Sequence, residues 1–272
     1  SRADLLTYGM GEKILVRIAE LLDKGVPVRK IRDVRGSVWV GKPGDAVHFP
    51  VAAEFDFDRL KTDKRYYAEA FGEQYRNQDA ISGKALTERY GDKLLVQNPP
   101  MPPLSREELD PVYGLPYERT YHPCYEKQGG VPALAEVEFS ITHTRGCFGA
   151  CNFCSIAFHQ GREITTRSEA SVLREAELLT RQPGFKGYLH DVGGPTANFR
   201  QPSCEKQKKH GLCKAKKCLA PKPCALLQVD HREYLELLRK LRRLPRVKKV
   251  FIRSGIRYDY LMQDKDETFF KE

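Results

Sequence analysis

The chain has 272 residues and carries 46 Lys and Arg against 36 Asp and Glu, which gives a formal net charge of +10. This length suits roughly one and a half to two domains, and the basic charge permits a polyanionic partner without requiring one. With no apolar stretch near the roughly 20 residues of a membrane helix and no secretory signal pattern, we expect a soluble, cytoplasmic protein without a membrane partner.

Residues 1–97 are predicted to form the last part of an α/β domain. Apolar residues at helical spacing, Ile14, Ile18, Leu21 and Leu22, precede Gly25, a typical helix end. SVWVG and HFPVA follow as short strands, and the spacing from Lys61 to about Asp92 is helical. We therefore expect the end of a doubly wound layer with a helical extension. Because the chain opens without an initiator methionine, we expect it to be a fragment.

Residues 98–133 are predicted to be a proline-rich connector. Six prolines lie between Asn98 and Pro116, which excludes a regular element across this segment. The change of domain is placed here.

Residues 134–272 alternate strand and helix. AEVEFSITHT, GYLHDVGG and VKKVFIRSG are the predicted strands. Ser168 caps the first helix between them, Asp230 with Glu233 opens the second, and residues 200–229 form a cysteine-rich insertion. This order implies parallel crossovers, so every strand-to-helix loop opens on the same edge, where sites are built.

Three cysteines follow the first of these strands. Cys147, Cys151 and Cys154 have the spacing C-x3-C-x2-C, and clustered cysteines in a reducing compartment indicate metal binding before disulfides. Thiolates suit zinc, for which His159 could be the fourth ligand, or a 4Fe-4S cluster with one open iron. The spacing alone does not decide between them.

The same stretch resembles the signature of the radical S-adenosylmethionine superfamily, with the aromatic Phe153 before the last cysteine. RGCFGACNFCSIAFHQGR, SEASVLREAELL, GFKGYLHDVGGPTANF and VKKVFIRSGIRYDYL closely resemble the YgiQ family, also known as UPF0313, whose members are longer at both ends. The resemblance extends to DLLTYGMGEK and the proline-rich segment. It implies that residues 134–272 are the opening portion of a radical SAM partial (β/α) barrel.

The resemblance also implies a function. Cys147, Cys151 and Cys154 would bind a 4Fe-4S cluster, and S-adenosylmethionine would chelate the fourth iron, with Phe153 among the cofactor-binding residues. Reductive cleavage of the sulfonium would release a 5'-deoxyadenosyl radical and start chemistry on an unknown substrate. A flavodoxin-like or ferredoxin-like electron donor is the expected partner, and the catalytic residues are unknown.

Further candidate cofactor residues lie at the other strand ends. Superfamily members have a glycine-rich stretch where this chain has Gly193 and Gly194, although Pro195 replaces the usual acidic residue. The alternative reading is a simple Gly-Gly-Pro turn. Ser254 and Arg257 end the third strand and could reach ribose or carboxylate, or could only cap a helix. For His159, Arg162, His190 and Asp191 a structural or solvated role is favoured.

A second cysteine group lies in the insertion, comprising Cys204, Cys213, Cys218 and Cys224. Four thiolates can close a zinc site or a second iron-sulfur cluster, whereas Cys124 stands alone in the connector. Basic residues concentrate here, so modification of an RNA base is one alternative function, although the sequence has no RNA-binding signature. A non-enzymatic, zinc-stabilised binding module is another alternative. The chain has no D-x-H-x-x-G cobalamin motif, no phosphate-binding G-x-x-x-x-G-K-S/T loop and no dinucleotide fingerprint.

Overall fold

A computed structural model of the chain describes residues 3–272. Its strands in chain order are β1 (Leu6–Thr7), β2 (Ser37–Gly41), β3 (Val51–Asp56), β4 (Ala85–Tyr90), β5 (Lys93–Gln97), β6 (Ser140–Thr142), β7 (Thr144–Arg145), β8 (Thr165–Thr166), β9 (Tyr188–Leu189), β10 (Asp191–Gly193) and β11 (Lys249–Val250). Its helices are α1 (Glu12–Asp23), α2 (Phe57–Thr62), α3 (Lys64–Arg76), α4 (Arg106–Tyr113), α5 (Leu134–Val137), α6 (Ile156–His159), α7 (Glu169–Arg181), α8 (Glu205–His210), α9 (Arg232–Arg242), α10 (Tyr258–Leu261) and α11 (Thr268–Lys271). Among these helices, none is long and apolar enough to cross a membrane.

The described residues divide into two compact units, each of mixed α/β structure. The first unit comprises residues 3–103, 148–163 and 205–220. The second comprises residues 104–147, 164–204 and 221–272. Each cysteine group therefore contributes residues to both units.

The first unit contains a five-stranded sheet in the order β1-β2-β5-β4-β3. Only β3 and β4 pair in parallel, and the other neighbours are antiparallel. The expected doubly wound, parallel layer is therefore wrong for these residues. The reason is local: Tyr90 pairs with Lys93 across a two-residue turn at Gly91, where φ is +57°, and so short a turn joins only antiparallel strands.

The helical prediction for residues 61–92 holds only as far as Arg76, the last residue of α3. Beyond it, the Asn77 side chain accepts a hydrogen bond from the Lys84 backbone, and the Asp79 carboxylate accepts one from the Ser82 backbone. These side chains satisfy the loop's backbone donors and end the helix. The chain then enters β4.

The proline-rich segment also contains a helix that the proline count did not predict. In α4, the Ser105 hydroxyl accepts from the Glu108 backbone, and the Glu108 carboxylate accepts from the Ser105 backbone at 2.8 Å. This capping box stabilises the first turn, and Pro111 lies inside the helix. The exclusion of a regular element is therefore wrong for residues 106–113.

The second unit has short parallel pairings, β6 with β10 and β9 with β11, and an antiparallel pair of β7 with β8. The predicted helices are confirmed as α7, which begins after the Ser168 side chain caps the Ser171 backbone, and α9. The predicted cap of α9 by Asp230 with Glu233 is wrong, because the helix begins after His231 without a side-chain cap. Both helices pack on the strands through a core whose buried members include Ile141, Val172, Val192 and Leu237. Residues 3–272 form small sheets and no closed barrel.

Candidate functional site

Two loops leave β6 and β10 at the same edge of the second unit. Because these strands are parallel, their carboxyl ends lie side by side. The His143 backbone donates to the Gly193 carbonyl at 2.9 Å, and the Thr144 hydroxyl donates to the Phe199 carbonyl at 2.9 Å. The segment that leads from β6 to Cys147, here called the cysteine loop, is thus joined at several points to the segment that follows β10 and contains Gly194, here called the glycine loop.

Cys147 lies against the glycine loop. Its sulfur is buried and 3.5 Å from the Thr196 hydroxyl, two residues beyond Gly194. Gly146, with φ of +84°, provides the left-handed turn just before it. The structure therefore brings the first motif cysteine and the predicted cofactor glycines together.

Both glycines are required by close contacts. A Cβ at Gly193 would lie 1.7 Å from the Ser254 hydroxyl oxygen, and one at Gly194 would lie 2.7 Å from the Thr144 carbonyl oxygen. The Gly194 backbone donates to the Ser254 hydroxyl at 3.3 Å. Ser254 is therefore brought to the same loop from the end of the third predicted strand.

Asp191 and Arg257 have partners within the unit. The Asp191 carboxylate accepts from the Arg253 backbone at 2.8 Å and from the Ser254 hydroxyl at 3.2 Å. The Arg257 guanidinium pairs with Asp259 at 2.7 Å. Asp191 thus holds the loop that carries Ser254, whereas the Arg257 side chain faces a carboxylate of its own segment.

His143 is a site residue that the sequence did not reveal. Its imidazole is fully buried, with Nε2 at 3.0 Å from the Ala197 carbonyl and Nδ1 at 3.1 Å from an Arg200 nitrogen. The carbonyl requires the proton on Nε2, so Nδ1 accepts from Arg200. Burial and the Arg200 charge lower the pKa of His143 to about 3. No local signal predicts this, because Arg200 is 57 positions away.

Two buried arginines make ion pairs next to the two loops. Arg167, almost fully buried, pairs with Glu175 and donates to the Thr142 carbonyl at 3.0 Å. Arg200 pairs with Glu233 at 2.9 Å. Because lone charges are costly in such surroundings, these pairs fix the position of both arginines.

Cys151 and Cys154 belong to the first unit, where both are half-buried and line a cavity of about 320 Å³. Phe153, between them, is 92% exposed. Nearby, the Asn152 side chain accepts a hydrogen bond from Lys217 at 2.5 Å. The ring of Phe153 is thus open to a ligand.

The second cysteine group is also divided. In the first unit, Gln207 donates to the Cys218 sulfur at 3.5 Å, and the buried Arg162 donates to the Cys213 carbonyl at 3.3 Å. Cys204 and Cys224 belong to the second unit. All eight cysteines are outside disulfides. Among residues 3–272, no three His, Cys, Asp or Glu side chains are arranged to hold a metal, so both metal sites stay predictions.

Comparison with known proteins gives one family. A family model described as Radical SAM N-terminal matches residues 1–140. UPF0313 proteins of Clostridium botulinum strain Okra and of Clostridium perfringens strain ATCC 13124 are 55% and 53% identical over the whole of this chain. The chain spans 42% and 41% of the length of these relatives. No solved structure matches.

Proposed function

Because this chain belongs to the Radical SAM N-terminal family, we propose that it carries the cluster-binding and S-adenosylmethionine-binding part of a radical enzyme. The family resemblance seen in the sequence is confirmed by the UPF0313 relatives. The substrate is open, since the chain covers less than half of those relatives.

The observation that supports this proposal most directly is the closeness of the Cys147 sulfur to the glycine loop. The Cys147 thiol, a soft ligand, and the loop of Gly193 and Gly194 meet at the carboxyl ends of two parallel strands. Ligand sites of α/β folds are built at this edge. The donor set fits an iron-sulfur cluster, because three cysteines fall within eight positions and none is tied up in a disulfide.

The residues then have distinct roles. Cys147, Cys151 and Cys154 would hold the cluster, which when bound supplies the electron that cleaves the sulfonium of S-adenosylmethionine. Gly193 and Gly194 let Ser254 and Thr144 pack directly against the loop, because a Cβ at either glycine would collide with them. As the family resemblance implies, the backbone carbonyls of this loop would meet the methionyl ammonium.

The other candidate residues would orient the cofactor. Ser254 offers a hydroxyl beside the same loop, Phe153 an exposed ring, and Arg257 a cation that must leave Asp259 to reach a carboxylate.

His143 would act as a positioning residue. Its neutral imidazole bridges the two loops through the Ala197 carbonyl, and the lowered pKa keeps it neutral over the physiological range. Arg200 selects the tautomer that donates to Ala197. The distance between the cysteine loop and the glycine loop is thereby fixed without a charge that could titrate.

The experiment is anaerobic reconstitution of the protein with iron and sulfide, followed by electron paramagnetic resonance of the reduced sample. We expect a 4Fe-4S signal that changes when S-adenosylmethionine is added. Cys154→Ser should abolish that change, whereas Cys124→Ser, which alters an exposed cysteine outside both groups, should not. Tight zinc binding without cluster formation would favour the zinc-stabilised module instead.

The second cysteine group is proposed to bind a further metal, zinc or a second cluster. Four closely spaced cysteines outside disulfides offer a complete set of thiolate ligands, and two of them, Cys204 and Cys218, are buried. Metal analysis of the anaerobically purified protein should show less metal per chain in Cys218→Ser than in Cys124→Ser. Equal metal content in the two variants would contradict this proposal.

A further inference from the structure

The cavity beside Cys151 and Cys154 is also lined by aromatic side chains. Helix α3 contributes Phe71 and Tyr75, which are four positions apart and therefore lie on one helix face. Phe158 of α6 completes the aromatic wall, with its ring centroid 5.4 Å from that of Phe71 and 6.0 Å from that of Tyr75. The volume of about 320 Å³ is at the lower end of small-molecule sites.

The polar side of this cavity is basic. Arg76, Lys214 and Lys217 line it, and its lining contains no acidic residue. Lys217 is held by its hydrogen bond to Asn152 at 2.5 Å, and Arg76 is paired with Glu73 at 2.7 Å. In the cluster-free protein, two lysines and one partly neutralised arginine therefore give the cavity a positive potential.

Gly72 lies beside the Arg76 guanidinium in this wall. A glycine inside a helix costs about 0.5–1 kcal/mol relative to alanine. A Cβ at Gly72 would lie 3.2 Å from an Arg76 guanidinium nitrogen, closer than an ordinary contact. The missing side chain thus lets the guanidinium lie along α3 at the cavity.

Tyr75 adds a polar atom without a protein partner. Its hydroxyl is buried and makes no hydrogen bond, although the Arg162 guanidinium lies 5.1 Å from its ring centroid. A buried hydroxyl without a partner is costly, so this part of the wall is not fully satisfied in the ligand-free protein.

We propose that this cavity binds a planar aromatic anion, the chemical class that includes nucleoside monophosphates. The rings of Phe71 and Phe158 give a surface for a planar ring, and Lys214 with Lys217 provides charge for a phosphate or carboxylate. S-adenosylmethionine does not fit this charge pattern, because its sulfonium and ammonium outweigh its single carboxylate. That this anion belongs to the substrate class of the enzyme rests on the proposed function, because two proposed cluster ligands line the cavity. The binding of the anion to the cavity does not depend on the proposed function.

The test is calorimetric titration of the protein with adenosine 5'-monophosphate, with adenosine and inorganic phosphate as the ring-only and anion-only probes. The monophosphate should bind at least about tenfold more tightly than either probe, because only it uses both the rings and the lysines. S-adenosylmethionine should not compete. Monophosphate affinity equal to that of inorganic phosphate would overturn the proposal.

Two variants locate the site. Lys214→Ala combined with Lys217→Ala should weaken monophosphate binding about tenfold, whereas Lys206→Ala with Lys209→Ala should not. The control pair removes the same charge from exposed positions of the same basic segment outside the cavity. Phe71→Ala, at a half-exposed side chain, should weaken the monophosphate and leave inorganic phosphate unchanged. Equal losses in both lysine pairs would mean diffuse attraction to the basic segment and would contradict a site.

The titration is repeated on cluster-free and reconstituted protein. Binding in both forms supports the site and its position beside the cluster. Binding only in the cluster-free form would mean that the cluster fills the cavity, which overturns the substrate-class assignment. Failure of cluster assembly leaves the cluster-free titration intact, so the two proposals fail separately.

Discussion

The Cys147 sulfur lies 3.5 Å from the Thr196 hydroxyl, although the two residues are 49 positions apart in the chain. A hydroxyl so placed can donate to a thiolate and stabilise its negative charge. This contact connects the cysteine motif to the loop after the glycine pair, and it can be tested directly.

Thr196→Val removes the hydroxyl and keeps the shape of the side chain. If Cys147 ligates the cluster, the reduced form loses a hydrogen bond to its sulfur, so the reduction potential should fall. Redox titration followed by electron paramagnetic resonance measures this. Thr196→Ser, which keeps the hydroxyl, should stay near the unmodified protein, and an unchanged potential in the valine variant would show that the contact has no electrostatic role.

Gly194→Ala should destabilise the second unit by about 1–3 kcal/mol, the usual cost of overpacking. The new Cβ would meet the Thr144 carbonyl oxygen at 2.7 Å, and a backbone atom between two loops cannot move aside easily. Urea unfolding provides the measurement. Gly114→Ala is the matched control, because its Cβ would meet its nearest neighbour at 3.4 Å, and its effect should be small.

Protonation of His143 should reduce stability in acid. Its pKa in the folded protein is about 3, below the ordinary value of 6.5, so the unfolded state binds the proton more readily. The stability that depends on the neutral form is complete above pH 6.5 and is lost progressively as the pH falls toward 3, by up to about 1.4 kcal/mol per pH unit. His143→Gln, which can still donate to Ala197 and accept from Arg200, should flatten the pH dependence of the urea midpoint between pH 6.5 and 4.5. Identical slopes for the two proteins would contradict this assignment.

Glu175→Gln should cost about 3 kcal/mol, because it leaves the buried Arg167 charge without its carboxylate. Glu169→Gln also removes a carboxylate from α7, but its partner Lys240 is at the surface, 2.6 Å away, so the loss should be below about 1 kcal/mol. Thermal and urea unfolding of the pair gives the comparison. Similar losses in the two variants would show that burial of Arg167 does not control the cost.

Helix prediction from local signals succeeded where the apolar spacing was clear, with the predicted cap at α7 and without it at α9. Ser168 capped α7 as expected, and the apolar positions of α9, Tyr234, Leu237 and Leu241, are all buried. Prediction failed at α4, where the proline count outweighed the capping box of Ser105 and Glu108. It failed again after Arg76, where side chains of the following loop end the helix.

The sequence by itself determined the cysteine spacing, the glycine pair and the family resemblance, because these are properties of neighbouring residues. Only the tertiary structure decided that Cys147 meets Thr196, that Ser254 lies against Gly193, and that His143 is held neutral by burial and by Arg200. Each of these contacts joins residues dozens of positions apart, and the parallel pairings of β6 with β10 and of β9 with β11 bring them to one edge. Local propensity carries no information on such contacts, since they depend on which strands pair and in which register.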